Sequence, residues 1–207
     1  VPVISSVSVA NTSVCSATNS TNNVSFTIVG NLPNTTYNWT AISNGVTVVG
    51  GVTSGTITST STTATVNLQV ITSNSLASGT IQFEVGATRN GCSIPRISSP
   101  IVTVNPNPGL PISSQEKTIC SGGNTDLNID VTPLILGTQL QWEVVAMVDA
   151  NGAIGGSGVA PKHINDVLTA TGDNIGYVIY RVRTRLGDCD GGYTDYRINV
   201  RPLPKPE

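Results

Sequence analysis

At 207 residues the chain is long enough for one large domain or two ordinary ones, and its 11% of charged residues lies well under the roughly 25% usual for soluble globular proteins. A net charge of −2 and a pI near 5.3 leave no basic footprint for nucleic acid or an anionic membrane, and no apolar run approaches the roughly 18 residues of a membrane span. Nucleic-acid binding and membrane insertion are thereby excluded as expectations, and polarity falls to Ser, Thr and Asn, which suit strands and turns better than helix interiors.

Taken in chain order, the predicted elements are strands of side-chain period two. Val24, Phe26 and Ile28 alternate with Ser25 and Thr27; Tyr37, Trp39 and Ala41 alternate with Asn38 and Thr40; Val66, Leu68 and Val70 alternate with Asn67 and Gln69. Ile81, Phe83, Val85 and Ala87 continue the pattern, and Val102 and Val104 close it. Further on, the inward sets are Leu127, Ile129 and Val131; Leu140, Trp142 and Val144; Val178, Tyr180 and Val182; and Ile198 and Val200. Such alternation belongs to strands with one buried and one wet face. Asn-Gly at 44, 90 and 151, with Gly50-Gly51 and Gly155-Gly156, supplies turn signals at β-sandwich spacing. HINDVLTA, residues 163–170, is the one stretch in which a short helical turn is expected.

The chain repeats itself. SVCSATNSTNNVSFTI from Ser13 lays over TICSGGNTDLNIDVTP from Thr118, YNWTA at 37–41 over LQWEV at 140–144, and GTIQFEVGATRNGC ending at Cys92 over IGYVIYRVRTRLGDC ending at Cys189. The matched segments keep one order at a separation of roughly 100 residues, which reads as two tandem modules, residues 1–106 and 107–207. VNPNP at 104–108 and VRPLP at 200–204 punctuate them alike. Proline fixes φ and removes a donor, so V-x-P-x-P ends sheet pairing and makes a short, semi-rigid connector. With its start lacking an initiator Met and its proline-rich finish, the chain is expected to be a fragment of a longer array, behaving as a monomer whose partners are neighbouring repeats. The fold class expected is all-β, two tandem β-sandwich modules joined by a short Pro-rich linker.

Each module holds a Cys-Trp-Cys set: Cys15, Trp39 and Cys92, then Cys120, Trp142 and Cys189. One such set per module of about 100 residues resembles the immunoglobulin-like sandwich, in which a core Trp sits near an inter-strand disulfide. The departure is that these cysteines flank strands, where antibody domains place them mid-strand. The expectation is one bond within each repeat, Cys15 with Cys92 and Cys120 with Cys189, and it requires both partners to lie at the same end of a sandwich. In the chain-entropy model, loops of this size contribute on the order of 4 kcal/mol.

Other cysteine chemistry fits poorly. Zinc wants ligands in close pairs, and no Cys has a Cys or His nearby in sequence. A nucleophile needs a base, yet the sole histidine, His163, belongs to the second module and reads as a loop residue. Residues 1–104 carry one acid, Glu84, two arginines and no Lys or His, so no acid–base pair or catalytic triad can be assembled there. No catalytic residue is assigned.

The second module holds the remaining charge. GDCDGG at 187–192 makes Asp188 and Asp190 weak Ca²⁺ candidates, set against a solvated turn; no cofactor is otherwise expected. Arg181, Arg183 and Arg185 line one outward strand face, read as a solvated edge paired with local acids, the alternative being a dock for an acidic glycan. Trp39 and Trp142 lie in phase with inward residues and are assigned to the core rather than to sugar stacking. Five N-x-S/T sequons, at Asn11, Asn19, Asn23, Asn34 and Asn38, read as an accident of richness in Ser, Thr and Asn, the alternative being N-glycan acceptors in a eukaryotic secretory pathway.

The succession (V/I)CS, a Trp some 22–24 residues on, GC or DC after an alternating strand, then V-x-P-x-P resembles the PKD-like and Ig-like repeats of very large Bacteroidota surface proteins, such as gliding-motility adhesins of the SprB type. The resemblance covers both modules and implies type IX secretion, an extracellular, cell-surface location and service as a non-catalytic segment of a long adhesin filament, in contact with neighbouring repeats and with surface polysaccharide. Oxidised cysteines would fit that compartment. The alternative is a carbohydrate-binding accessory module of a secreted multimodular hydrolase, with Tyr193 and Tyr196 as outward-facing aromatics.

Overall fold

The computed structural model of the protein describes residues 1–16, 23–111 and 116–204. Two compact units, Val1–Pro106 and Asn107–Glu207, divide the chain, and among the described residues every regular element is a strand. The first unit contains β1 (Ile4–Val9), β2 (Ser13–Cys15), β3 (Asn23–Gly30), β4 (Thr35–Asn44), β5 (Val46–Val48), β6 (Ser54–Ser59), β7 (Thr63–Thr72), β8 (Gly79–Arg89), β9 (Cys92–Ser93), β10 (Ile97–Ser98) and β11 (Val102–Asn105). One sheet runs β1-β3-β7-β5 and the other β2-β11-β8-β4-β6, with β9 and β10 also pairing β8.

The alternation in sequence becomes the core between these sheets. Val24, Phe26, Ile28, Leu68 and Val70 from one sheet meet Tyr37, Trp39, Ile81, Phe83 and Val85 from the other, all buried. Phe26 stacks on Phe83 at a centroid distance of 4.2 Å and meets Trp39 edge-on at 5.8 Å, geometries that aromatic quadrupoles favour. The Asn90-Gly91 turn joins β8 to β9 with φ of 49° and 78°; positive φ at both central residues is what a two-residue hairpin asks of Asn-Gly.

The second unit contains β12 (Leu110–Pro111), β13 (Glu116–Cys120), β14 (Gly123–Asn124), β15 (Leu127–Ile129), β16 (Val131–Thr132), β17 (Gln139–Val148), β18 (Ala150–Asn151), β19 (Gly156–Val159), β20 (Lys162–Ile164), β21 (Val167–Ala170), β22 (Gly176–Leu186) and β23 (Cys189–Arg201). Its main sheet runs β13-β23-β22-β17-β19. The facing layer is broken into short ladders, β12-β16, β15-β20 and β14-β21-β18. Leu127, Ile129, Leu140, Val178, Tyr180, Val182, Ile198 and Val200 form the core with Leu168 and Tyr196. Together the two units make the all-β chain of tandem β-sandwich modules.

Three sequence readings are corrected. HINDVLTA forms β20 and β21 instead of a helical turn, because Ile164 and Leu168 are both drawn into the core from separate ladders. Gly155-Gly156 is no turn: Gly156 lies in β19, opposite Trp142. Tyr196, expected outward, is buried at 2% exposure, while Tyr193 is 60% exposed. The cause is phase, since Tyr196 shares the inward parity of Ile198 and Val200 on β23.

Register gives each unit two poles. In the first, Ile4 pairs with Gly30, the far end of β3, and Thr36 pairs with Thr88, so the chain starts at the pole where β8 ends and Cys92 follows. It leaves at the opposite pole, where Val104 pairs with Gly79 and Asn105 with Cys15. In the second unit, Thr194 Oγ1 donates to the Pro111 carbonyl at 3.2 Å, which puts the incoming strand beside the Cys189 end of β23. Cys120 pairs with Arg201 at the other end of that strand. Both β11 and β23 stop at the residue preceding proline, Asn105 and Arg201, where the next donor is missing.

Candidate functional site: the cysteines and the arginine face

The same short strand carries the first cysteine of each unit. β2 runs parallel to β11 and β13 parallel to β23, so Cys15 and Cys120 are held at the C-terminal pole by backbone bonds to the final strand. Bonds such as Ser16 N–H to the Asn105 carbonyl, 2.7 Å, and Ser121 N–H to the Arg201 carbonyl, 2.8 Å, extend these ladders by one residue. The second cysteines, Cys92 and Cys189, sit at the N-terminal pole, after the hairpins that pair Arg89 with Cys92 and Leu186 with Cys189.

This register overturns the expected pairing. Cys92 and Cys120 are exposed free thiols, while Cys15 and Cys189 are disulfide-bonded. A bond between Cys120 and Cys189 would have to span the 13-residue strand Cys189–Arg201, roughly 40 Å at 3.3 Å per residue. A bond between Cys15 and Cys92 would have to span the 11-residue β8, roughly 35 Å. Disulfides need Cα atoms within about 7 Å. The bonds Cys15–Cys92 and Cys120–Cys189 are therefore not formed, because the two cysteines of each repeat occupy opposite poles.

The arginine row belongs to a central strand, β22, not to an edge. Arg181 makes a two-pronged contact with Asp195, Nε to Oδ1 and Nη2 to Oδ2 at 2.8 Å each, and lies over the Tyr193 ring at 4.4 Å. Those hydrogen bonds hold the Asp195 carboxyl below its ordinary value, and Asp195 in turn pushes the Arg181 guanidinium upward. Arg183 reaches Glu143 at 4.0 Å. Arg197 covers the Tyr177 ring at 3.8 Å, so a second aromatic face is taken by a cation. A groove of about 410 Å³ opens on this face, lined by Trp142, Glu143, Gly156, Arg181 and Arg183 among others.

Asp188 and Asp190, the Ca²⁺ candidates, both face the Arg185 guanidinium, at 3.7 and 3.8 Å. A cation of the protein's own stands between the carboxylates, and among the described residues no cluster of three or more His, Cys, Asp or Glu is disposed to hold a metal. His163 lies in β20, not in a loop, with Nε2 2.7 Å from Asp126 Oδ1; Lys117 adds a contact at 3.5 Å. The hydrogen bond to His163, followed by the Lys117 charge, lowers the Asp126 carboxyl.

Trp39 is buried at 5% exposure, whereas Trp142 is half-buried and packs against the second core from its margin. The Trp142 Nε1–H donates to the Ile154 carbonyl at 3.1 Å. Sequence reasoning missed the group beneath it. Asp166 Oδ2 accepts from the Tyr180 hydroxyl at 2.7 Å and from the Ile154 N–H at 2.8 Å, and Thr125 Oγ1 accepts from the Asp166 N–H at 2.9 Å. Tyr180 occupies the place that Phe83 has in the first repeat, and that one difference was the available signal for a polar partner in the second core. Of the sequons, Asn11, Asn23 and Asn34 are exposed and Asn38 is half-buried; Asn19 lies outside the described residues.

No curated protein sequence matches this chain. Among solved structures, the D0-D1 domain of Intimin is 13% identical at a TM-score of 0.37, covering 97% of this chain and 100% of that one. The chicken CNTN1 FN1-FN3 domains are 11% identical at 0.36, with 96% and 64% covered, and the Yersinia pseudotuberculosis adhesin InvE is 15% identical at 0.31, with 96% and 58% covered. Residues 117–204, within the second unit, match the family model described as a PKD-like domain.

Proposed function

We propose that the chain is a non-catalytic structural segment of a long, secreted cell-surface adhesin that supports adhesion and gliding motility. The observation that carries this reading is the parallel pairing of the second strand of each unit, β2 or β13, with that unit's last strand. Tension applied through a unit's two poles runs along that ladder and loads its hydrogen bonds together, in shear. Forced unfolding is governed by the unfolding rate, which such a clamp slows. The PKD-like match over residues 117–204, the disulfide-bonded Cys15 and Cys189 and the low charge support an extracytoplasmic load-bearing repeat. The arginines and tyrosines that a glycan would use are already engaged with Asp195, Glu143 and one another, so a carbohydrate-binding module is the weaker reading.

Antibodies raised against the 207-residue chain test the proposal on intact cells of its source. They should label the surface and reduce adhesion and gliding speed. Labelling confined to the cell interior, or specific glycan binding lost in Tyr193→Ala, would count against it.

A further inference from the structure

Each cysteine position is disulfide-bonded in one repeat and free in the other: the C-terminal-pole position is bonded as Cys15 and free as Cys120, and the N-terminal-pole position is bonded as Cys189 and free as Cys92. The strand pairing around the cysteines is alike in both copies, although β9 is two residues long and β23 thirteen. Cys15 and Cys120 end a short strand parallel to the last strand, and Cys92 and Cys189 follow a hairpin on the preceding long strand. A position that forms a disulfide in one copy is thus left as a thiol in the other, and Cys92 and Cys120 have no partner inside their own unit within a disulfide's reach. Both thiols are exposed. They also lie at opposite poles, one where a unit begins and one where a unit ends, so a bond between unlike positions propagates head to tail.

We propose that Cys120 of one copy of this chain forms a disulfide with Cys92 of a second copy, linking the repeats covalently end to end. The oxidant is a low-molecular-weight disulfide such as oxidised glutathione. The Cys120 thiolate attacks one of its sulfurs, giving a mixed disulfide and releasing one glutathione thiolate. The Cys92 thiolate of the second copy then attacks Cys120 Sγ, the Cys120–Cys92 bond forms, and the second glutathione leaves. The two protons lost by the protein thiols end on the two glutathiones, so two thiols and one disulfide become one protein disulfide and two reduced glutathiones. The inference rests on the repeat geometry alone and stands apart from the adhesin reading.

The test is the native 207-residue chain, concentrated in an oxidised/reduced glutathione buffer and followed by non-reducing electrophoresis and disulfide mapping. A ladder of linked copies is expected, collapsing on reduction, with a Cys92–Cys120 peptide pair as the major cross-link. Cys92→Ser and Cys120→Ser should each lower the linked fraction at least tenfold when incubated alone, and a mixture of the two should give a dimer and no longer species. Both positions are exposed, and the wild-type ladder needs neither variant to fold. Persistently free thiols, linkage of like with like, or a Cys92–Cys120 bond within a single monomer would each overturn the proposal.

Discussion

Trp39 stands directly across the ladder from Gly55, and its ring covers the space a side chain there would need: a Cβ built on Gly55 would fall 2.9 Å from the indole Cζ2. The second repeat copies the arrangement, Trp142 facing Gly156 with the corresponding distance 2.7 Å. In both, the next strand offers valine, Val85 to Trp39 and Val182 to Trp142. The conserved unit of the repeat is thus a Trp clamped between a Val and an edge-strand Gly, with the ring lying over bare backbone.

Gly55→Ala and Gly156→Ala should both destabilise, and unequally. Overpacking costs about 1–3 kcal/mol in general. Trp39 is enclosed on every side and cannot yield, so Gly55→Ala belongs at the upper end; half-buried Trp142 can swing outward, so Gly156→Ala belongs at the lower end despite the shorter distance. Urea unfolding followed by tryptophan fluorescence measures both. Equal losses would contradict the argument from burial.

Tyr180 and Asp166 should rank by what each leaves behind. Asp166→Ala strands the hydroxyl of a fully buried tyrosine, at about 1–3 kcal/mol before relaxation, and also releases the N–H of exposed Ile154 to water. Tyr180→Phe removes the buried donor and leaves Asp166, which is half-buried and keeps the Ile154 bond. Thermal melts should therefore order wild type, then Tyr180→Phe, then Asp166→Ala, with the last lowest.

The Asp195 carboxyl is held down chiefly by its hydrogen bonds to Arg181. A group with a depressed folded pKa adds stability that is complete above its unfolded value, about 3.9, and is lost as pH falls through the folded value. Asp195→Asn should lower stability at pH 7 and flatten the decline between pH 4 and pH 2. Urea midpoints across that window decide the matter; parallel acid limbs in the two proteins would refute it.

At alkaline pH the sign reverses. Burial, reinforced by the charge of Asp130, pushes the Tyr196 hydroxyl up to about 12. A raised phenol contributes stability that is complete below its unfolded value, about 10, and is lost as pH rises through the folded one. Tyr196→Phe should therefore soften the loss of stability between pH 10 and pH 12, read by circular dichroism at fixed urea.

The parallel clamp should be separable from the core. Val14→Pro and Ile119→Pro each take a donor from β2 or β13 without touching a fully buried side chain. Pulled through its two ends by single-molecule force spectroscopy with its cysteines reduced, each variant should show one of two unfolding events moved to lower force, with the other unchanged. Unaltered forces would mean that resistance lies elsewhere in the sandwich.

Much of the molecule was legible in its residues. Side-chain alternation is a local property with a fixed period, so Val24, Phe26, Ile28, Ile81, Phe83, Val178 and Val182 announced their burial wherever the strands were to lie. Repetition of Cys, Trp and V-x-P-x-P marked two modules, and proline's missing donor marked where the last strands stop. Local patterns were weaker where the chain departs from one long strand, as at Ile164 and Leu168, whose short ladders mimic a helical spacing.

What sequence alone determined, then, was strand, face and repeat, because each follows from bonds between near neighbours and from a side chain's preference for water or for the core. Only the tertiary structure decided which pole each cysteine occupies, that Gly156 lies under an indole, and that Tyr180 meets Asp166. Those depend on register and strand order, which join residues far apart along the chain and leave no periodic trace in it. The two cysteines of a repeat look like natural partners on paper; a strand's length of roughly 35–40 Å keeps them apart.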